Sequence, residues 1–446
     1  MGTGTTRATA ERMPERSLAG WLSYLENLHP RAIDLGLERC AEVARRLALV
    51  PCARPVIIVA GTNGKGSVVH ACDALLSAHG LRCGRYTSPH LRQFNERIVV
   101  AGRAAGDDAI VRAFAAVEAA RGEVSLTYFE FATLAALLLF REAAPDVLIL
   151  EVGLGGRLDA VNIVDADIAV ITAIDMDHQQ WLGDDRETIG REKAAVARPG
   201  RPVVLAESDY PASVGASLAA AGARVQQAGV QWHWHCAGSP PSLSLQLPAG
   251  PSLRVPVPAG LRAGNIAAAL CAASLQLGER FDAARALAAL DGLSIPGRRQ
   301  SLQHAGRELL LDVAHNPGAM RALAAALAAP GPRRRTFAAL GVMADKDLPA
   351  MATALAAAVD GACALALPGI DRAQAAEAVW RALDSAGVAV AQSEFTVDAV
   401  WRQLLAGSAP GDRIVFCGSF HSVAAILNHL DIAAGLPPGV DGGSGG

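Results

Sequence analysis

Lysine is rare in this chain, and each lysine lies in a segment that could do chemistry. Only three of the forty Lys and Arg residues are lysines, namely Lys65, Lys193 and Lys346. An arginine stays protonated, whereas a lysine fits a compact phosphate loop and can lose its proton to become a nucleophile. We therefore expect chemistry at these positions. The alternative is that the three lysines have no special role and were retained by chance in a sequence that favours arginine.

The first lysine lies in a glycine-rich loop that predicts a phosphate-binding site. A predicted strand at 55–60 leads into the loop at 61–67, GTNGKGS, and then into a helix. Glycines let backbone N–H groups approach phosphate oxygens, the helix N-terminus adds positive charge, and Lys65 adds a point charge. Ser67 is placed to bring its hydroxyl to Mg²⁺. The loop departs from the usual pattern because Gly66 separates Lys65 from Ser67.

Two further apolar runs lead into side chains that bind metals. Glu151 ends the run at 147–151, and His178 follows the run at 168–172. The carboxyl ends of parallel strands meet at one sheet edge, where a Mg²⁺ ligand is expected beside a phosphate loop. The ordinary alternatives are a strand-end acid for Glu151 and a structural role for the histidine. Lys193 follows in a helical segment, and its alternative is an exposed helical cation.

A later strand, LLLD, ends in Asp312 and continues into His315, Asn316 and Pro317. Proline suits the first turn of a helix, so a strand–loop–helix unit is predicted here. Asp312 and His315 are placed to hold a ribose or a base. The alternative for the aspartate is a capping role.

The order of apolar runs and helical patterns predicts an α/β fold with a mainly parallel sheet. Short alternating segments between about 225 and 260 instead predict a small antiparallel sheet. They include the HWH stretch at 233–235, whose alternation indicates a strand rather than a metal pair. We predict a first domain at 1–296, a smaller Rossmann-like α/β domain at 297–434, and a flexible tail at 435–446.

The composition argues against several classes of partner and location. The 446 residues carry a formal net charge of −3, so no basic footprint indicates nucleic acid binding. The eight cysteines are scattered without a C-x-x-C pair, which suits reduced thiols in the cytoplasm. We recognise no signal peptide at the start, and the longest apolar stretch, around 129–140, is too short to span a bilayer. We therefore expect a cytoplasmic protein without a membrane partner.

Ten segments occur in one order along the chain: GTNGKGS, SPHL, LTYFE, EVGLGGRLDA, DH followed by WLG, GREKA, PGR, DVAHNP, DKD and CGSFH. This series closely resembles the bacterial dihydrofolate synthase/folylpolyglutamate synthase family of the Mur-ligase superfamily, over about residues 17–432. The resemblance implies a P-loop ATPase-type, Mur-ligase central-type first domain and a glutamate-ligase second domain.

The resemblance also implies the reaction. We expect ATP-dependent ligation of L-glutamate to 7,8-dihydropteroate and to reduced folates through an acyl phosphate, and LTYFE and the LDA segment favour both activities. The implied cofactors are ATP, two Mg²⁺ ions and a CO₂-derived carbamate on Lys193, with K⁺ as a further candidate ion. The implied partners are these small molecules alone, and the implied state is a monomer.

By the same resemblance, the catalytic residues are Lys65, His178 and carbamylated Lys193. The nucleotide is assigned to Asn63, Gly64, Lys65, Gly66, Ser67, Asn265, Arg298, Asp312 and His315. The metals are assigned to Ser67, Ser88, Glu151, His178 and Lys193. The pterin substrate is assigned to Ile33, Asp34, Leu35, Thr127, Tyr128, Phe129, Glu130, Leu158, Asp159 and Ala160.

Some roles stay open at this stage. Lys346 is expected to contact the incoming glutamate or to lie at the seam between the domains. Tyr128 and Phe129 are expected to stack on the pterin or benzoyl ring, and core packing is the alternative for Phe129. The rival functions are another Mur-type amino-acid ligase acting on a nucleotide-linked sugar, and a P-loop switch or kinase without ligase activity.

Overall fold

The computed structural model describes residues 16–31, 33–238, 240–248, 252–328 and 334–432. The tail predicted at 435–446 lies outside these residues. None of the described helices is long and apolar enough to cross a membrane.

The first part of the chain forms an eight-stranded sheet. Its strands are β1 Val56–Ala60, β2 Cys83–Tyr86, β3 Ile98–Val100, β4 Arg103–Ala104, β5 Val147–Glu151, β6 Ile168–Ile171, β7 Pro202–Leu205 and β8 Arg224–Gln227. Their spatial order is β4-β3-β2-β5-β1-β6-β7-β8, and every neighbouring pair from β2 to β8 is parallel. The pairs β2–β3 and β3–β4 are antiparallel.

Among the described residues, ten α-helices accompany this sheet. They are α1 Leu18–Leu28, α2 Glu38–Arg46, α3 Lys65–Ala78, α4 Asp107–Arg121, α5 Tyr128–Ala143, α6 Gln179–Leu182, α7 Arg186–Ala194, α8 Ala212–Ala220, α9 Ala263–Leu277 and α10 Ala283–Leu290. Short 3-10 helices occupy Phe94–Arg97, Ala160–Ile163 and Gly278–Arg280.

The apolar runs are buried on both faces of this sheet. In β1, Val56, Ile58 and Ala60 pack into a core that includes residues of α1, α2, α4 and α5. Ile57 and Val59 pack into a second core with α3 and α9 on the opposite face. A strand covered on both sides has no polar face, which is why these segments are continuously apolar.

A small antiparallel sheet extends the second core. Its strands are β9 His233–Ala237, β10 Ser242–Gln246 and β11 Ser252–Pro256, in the order β11-β10-β9. Leu243 and Leu245 of β10 and Val255 of β11 point into that core. The alternating segments therefore form the predicted sheet.

The last part of the chain forms a five-stranded sheet. Its strands are β12 Gln300–His304, β13 Arg307–Leu311, β14 Thr336–Leu340, β15 Gly361–Ala364 and β16 Arg413–Cys417, in the order β12-β13-β16-β14-β15. The pair β12–β13 is antiparallel, and the pairs β13–β16, β16–β14 and β14–β15 are parallel. The helices are α11 Pro317–Leu327, α12 Leu348–Ala356, α13 Ala376–Ser385, α14 Val397–Gly407 and α15 Phe420–His429. The predicted fold class, with its two α/β sheets and small antiparallel sheet, is confirmed.

The sheet order explains how distant segments reach one place. The loop after β1 carries the glycines, β5 ends in Glu151, Ser88 follows β2, and His178 follows β6. Strands β2, β5, β1 and β6 are consecutive and parallel, so all four carboxyl ends lie along one edge.

Helix α5 begins with reciprocal capping. The backbone N–H of Glu130 donates to Thr127 Oγ1 at 3.2 Å, and the backbone N–H of Thr127 donates to Glu130 Oε2 at 2.8 Å. Both residues are buried. The pair satisfies two backbone donors that the first helical turn leaves unpaired.

We expect Thr127→Ala to lower the free energy of unfolding by about 1 kcal/mol, because the buried Glu130 N–H loses its acceptor. Thr127→Ser is the matched control, since it keeps the hydroxyl and should stay near the parent. Urea titrations followed by circular dichroism and tryptophan fluorescence measure the difference. An alanine variant as stable as the parent would contradict the capping role.

Candidate active site

The glycine loop is shaped by close contacts that exclude side chains. Gly61 has φ +143°, and a Cβ there would lie 1.8 Å from Thr172 Oγ1. Gly64 has φ +98°, and a Cβ there would lie 2.5 Å from Asn265 Oδ1. Helix α3 starts directly after Gly64, so its N-terminus and the loop amides face one cavity. This is the arrangement that binds phosphate.

Lys65 folds back onto this loop. Its Nζ donates to the carbonyl oxygens of Gly61 at 3.0 Å and Thr62 at 3.3 Å. Burial lowers the pKa of Lys65, while Glu151 and Asp177 oppose that shift. A phosphate oxygen is a stronger partner for an ammonium than a carbonyl, so the side chain is ready to exchange partners.

Glu151 is the buried acid of the site, with 4% of its surface exposed. Its Oε2 accepts from the backbone N–H of Ser88 at 3.2 Å. Burial raises the pKa of Glu151, and Lys65 and Arg298 oppose the shift. The alternative of an ordinary strand-end acid does not account for this enclosed position between cations.

Lys193 is enclosed by the protein rather than solvent-exposed. Only 4% of its surface is exposed, and its Nζ donates to the Gly61 carbonyl at 3.0 Å. It makes no ion pair with any described residue. Burial, together with the charge of Lys65, lowers the pKa of Lys193 to about 7. A substantial share of this amine is therefore neutral and nucleophilic at physiological pH.

Asp177 joins the two α/β units. Its carboxylate accepts from Lys346 Nζ at 2.7 Å and Asn316 Nδ2 at 3.0 Å, and His315 Nε2 lies 3.6 Å away. Although burial opposes ionisation, the His315 imidazole and the Lys346 charge hold the pKa of Asp177 well below its usual range. Asn63 and Asn316 exchange amide hydrogen bonds of 3.2 and 3.0 Å, which ties the glycine loop to the same seam.

His178 lies beside this carboxylate, in a left-handed backbone conformation with φ 51°. Burial, helped by the charges of Lys346 and Lys65, lowers the pKa of His178 to about 4. The imidazole is therefore neutral at pH 7, which is the form that binds a metal.

All three lysines line one cavity of about 550 Å³. The predicted residues Asn63, Gly64, Gly66, Ser88, Tyr128, Glu151, His178, Arg298 and His315 line it as well. Ser67 is buried at the start of α3. A second cavity of about 350 Å³ adjoins the first and shares Gly66, Ser88, Glu151 and Arg298 with it.

The remaining residues that were predicted to bind the nucleotide lie around the glycine loop and the segment that carries Arg298. Asp312 accepts from the backbone N–H groups of Arg299 at 3.1 Å and Ala314 at 2.7 Å, so it shapes the loop that carries Arg298. The Arg298 guanidinium lies 5.2 Å from the ring centre of Phe420. Asn265 lies against Gly64, as described above.

Of the ten residues predicted to bind the pterin, only Tyr128 is among the lining residues of the main cavity. Phe129 packs towards Gly153 and Tyr86. Arg39 bridges Asp34 and Glu130, at 2.8 and 3.2 Å. Ile33, Leu35 and Leu158 are partly buried, and Thr127, Glu130, Asp159 and Ala160 are buried.

Asp159 supports the loop after β5. Its carboxylate accepts from the backbone N–H groups of Leu154 at 2.8 Å and Val161 at 3.0 Å. Burial raises the pKa of Asp159 to about 6. Gly153, Leu154 and Gly155 of this loop line the cavity, so Asp159 positions part of the wall.

Three cavity residues, Asp177, Arg97 and Arg372, carried no role in the sequence analysis, and neither did Asn316, which donates to Asp177. Asp177 precedes His178, and Asn316 stands inside DVAHNP, so proximity to recognised motifs was a usable signal for both. Arg372 has no such signal.

The donor set fits Mg²⁺ bound together with a nucleotide. No group of three or more His, Cys, Asp and Glu side chains that would hold a metal occurs among the described residues. The predicted metal ligands instead provide one carboxylate, that of Glu151, together with the Ser88 hydroxyl and the neutral His178 imidazole. Mg²⁺ bound with a nucleotide commonly uses one or two protein oxygens, with phosphates and waters completing its shell.

Family models match both α/β units. The Mur ligase middle domain matches residues 59–231, and the Mur ligase glutamate ligase domain matches residues 297–420. The dihydrofolate synthase/folylpolyglutamate synthase of Escherichia coli (strain K12) is 40% identical over 94% of this chain and 98% of its own length. The Haemophilus influenzae protein of the same name is 35% identical over 91% of this chain and 96% of its own length.

Solved structures agree with this match. E. coli FolC in complex with DHPP and ADP has a TM-score of 0.87 at 40% identity, over 93% of this chain and 98% of that chain. A bifunctional folylpolyglutamate synthase/dihydrofolate synthase with Mn, AMPPNP and L-glutamate bound has a TM-score of 0.84 at 41% identity, over 94% and 98%. The chain therefore belongs to the dihydrofolate synthase/folylpolyglutamate synthase family of ATP-dependent Mur ligases.

Proposed function

We propose that this protein uses ATP to join L-glutamate to 7,8-dihydropteroate and, in polyglutamate extension, to reduced folates. One observation carries the proposal. The glycine loop, the buried Glu151 and the second unit's Lys346 and His315 meet in a single cavity whose wall includes the ring of Tyr128. The relative crystallised with DHPP and ADP, and the one with AMPPNP and L-glutamate, support the same ligands here.

The reaction must first activate an inert acid. A carboxylate oxygen of the acceptor attacks the γ-phosphorus of ATP, an O–P bond forms, and the bond to the bridging oxygen breaks to release ADP. The glutamate amine then attacks the acyl carbon, phosphate leaves, and the amine loses a proton to give the amide. Such a transfer needs mainly positioning and charge neutralisation.

The chain's own cations supply much of that neutralisation. Lys65 exchanges its carbonyl partners for phosphate oxygens, and Arg298 lies beside Gly66 at the start of α3. Glu151, Ser88 and His178 would hold Mg²⁺, which supplies charge neutralisation and orientation at the transferred phosphate when bound. The seam at Asp177 closes the second unit over the cavity and limits entry of water to the acyl phosphate.

We propose that Lys193 carries a carbamate. Its neutral amine attacks the carbon of CO₂ and loses a proton, which leaves an anionic carboxylate on Nζ. The reaction needs a deprotonated amine, and burial beside Lys65 provides one. The carbamate places an anion in a site rich in positive charge, and its oxygens would be ligands for a second Mg²⁺.

We propose that Lys346 has both roles considered from the sequence. In this structure its side chain is 7% exposed and pairs with Asp177 across the seam. An incoming glutamate brings a carboxylate of its own, for which Lys346 and Arg372, which line the same cavity, provide positive charge.

The finer assignments remain proposals of the same kind. They comprise two Mg²⁺ ions and a K⁺ ion as the metals, the ten pterin-binding residues, a domain boundary at 296/297, a monomeric state and a cytoplasmic location. The boundary is supported by the end of the large sheet's helices at Leu290 and the start of β12 at Gln300.

We expect ADP release only when ATP, Mg²⁺, L-glutamate and a pterin acid are all present. Dihydropteroate and a reduced folate monoglutamate should each support turnover, and a reaction without acceptor should stay at background. A coupled assay for ADP, with mass analysis of the product, measures this. Acceptor-independent ADP release would instead indicate an NTPase without ligase activity.

Lys193→Arg should lower turnover by about 100-fold or more, because a guanidinium forms no carbamate and keeps a cation where an anion is needed. Arg191→Lys, an exposed change on the same helix, is the matched control and should keep the parent rate. With ¹³CO₂, NMR should show a carbamate signal in the parent and none in Lys193→Arg. Equal rates in parent and Lys193→Arg would exclude the carbamate role.

Lys193→Met should stabilise the nucleotide-free protein near pH 7 in CO₂-depleted buffer. The folded pKa of Lys193, about 7, lies below the usual lysine value of 10.5, so the unfolded chain binds more protons between these pH values. Parent stability therefore rises with pH across this window. The advantage of Lys193→Met should be on the order of 4 kcal/mol at pH 6.5 and should shrink by pH 9.

Lys346→Met is the matched contrast. It removes a paired ammonium and leaves the buried Asp177 carboxylate without that partner, so it should destabilise the protein. Calorimetry over pH 6.5–9 compares the three proteins. A Lys193→Met protein that is less stable than the parent at pH 6.5 would show that the ammonium is not penalised by burial.

A further inference from the structure

Arg97 is an arginine that the protein encloses without an anionic partner. It ends the 3-10 helix Phe94–Arg97, at the entry to β3, and only 7% of its surface is exposed. It lines the main cavity. Within the part of the chain that the structure describes, its Nη1 and Nη2 atoms make no hydrogen bond or ion pair. A buried guanidinium without a carboxylate is costly, and such groups mark ligand sites.

The neighbouring Arg85 shows what a structural arginine looks like here. Arg85 lies on β2, and its Nη1 donates to Asp73 Oδ2 at 2.8 Å with both side chains about nine-tenths buried. The two arginines are therefore similarly enclosed. Only Arg85 has been given an internal carboxylate, so burial alone does not explain why Arg97 is an arginine.

The guanidinium of Arg97 is held in a fixed orientation. Its Nε donates to His90 Nδ1 at 2.9 Å, and its central carbon lies 5.4 Å from the ring centre of Phe94 and 5.5 Å from that of Tyr128. Burial and the charge of Arg97 lower the pKa of His90 to about 3, so the imidazole stays neutral and keeps accepting this hydrogen bond. The Nη donors are left for a ligand.

The position of Arg97 identifies the ligand. Its central carbon lies 5.5 Å from the ring centre of Tyr128, the lining residue assigned to the aromatic acceptor. Arg97, Tyr128 and Glu151 line the same cavity, and the charge of Arg97, after those of Lys65 and Arg298, opposes the burial-driven rise of the Glu151 pKa. The only part of the acceptor that must reach from a ring-binding wall to the phosphate end is its carboxylate.

We propose that Arg97 binds the reacting carboxylate of the acceptor acid and orients it for attack on the γ-phosphate. This inference rests on the proposed function. A planar guanidinium matches a carboxylate with two parallel N–H···O hydrogen bonds. It holds the acid while one oxygen forms the new O–P bond and ADP leaves. When the glutamate amine attacks, Arg97 stabilises the negative charge that develops on the former carbonyl oxygen, until phosphate departs.

The test separates recognition of the carboxylate from folding and from ATP binding. Calorimetric titrations with dihydropteroate and with its carboxamide, both in the presence of AMPPNP and Mg²⁺, compare an acid with a neutral molecule of the same shape. We expect the parent to prefer the acid about 30-fold, and Arg97→Met to bind the two equally. In turnover, kcat/KM for the acceptor should fall about 100-fold or more in Arg97→Met, while KM for ATP stays within about threefold.

Two further variants guard against a purely structural explanation. Arg97→Met should melt no lower than the parent, since it removes an unpaired buried charge, whereas Arg85→Met should melt lower because it strands Asp73. Arg97→Lys should recover only part of the preference for the acid, since it keeps the charge and loses the planar fork.

Retained acid preference and parental kcat/KM in Arg97→Met would overturn this inference while leaving the proposed function intact. A marked drop in melting temperature of Arg97→Met with an unchanged acid preference would assign Arg97 to the fold and also overturn it. A parent that binds neither compound would overturn the proposed function itself, and this inference with it.

Discussion

The site depends on a shortage of anions around the glycine loop. One carbonyl, that of Gly61, accepts hydrogen bonds from the side-chain nitrogens of both Lys65 and Lys193. Neither lysine has a carboxylate partner among the described residues, and Arg298, Arg97 and Arg372, which line the same cavity, also make no ion pair with a described residue. Such a surplus is unfavourable in the free protein. It is relieved by what the reaction brings, namely phosphates, an acceptor carboxylate and, in our proposal, a carbamate.

Asp177 differs from this pattern, because it is a cavity carboxylate that pairs with cationic and polar side chains of the protein itself. It concentrates contacts from Lys346, Asn316 and His315 on one carboxylate at the seam between the two α/β units. The seam also includes the amide pair of Asn63 and Asn316, so the position of the second unit is linked directly to the loop expected to bind phosphate.

Sequence patterns predicted the fold well because the strands are buried on both faces. Continuous apolar runs such as 147–151, followed by glycine loops and helices, left little choice but parallel α/β sheets. The same reasoning predicted the shared edge of Glu151 and His178, because neighbouring parallel strands end together, whereas Ser88 was assigned by the family resemblance. Ring contacts were harder to predict. Tyr128 and Phe129 are adjacent, yet one lines the cavity and the other packs against Gly153, and no local pattern distinguishes them.

By itself, the sequence determined which residues are chemically able to act: a phosphate loop, strand-end ligands and three lysines kept where arginine is otherwise used. Tertiary structure decided what state those groups are in. Lys193 is a near-neutral amine and Lys346 a paired cation, although both are lysines in helical or turn segments. The physical reason is that burial and charge partners come from distant segments. Asp177 and Lys346 are 169 positions apart, and the field each one experiences exists only after the two units have packed together.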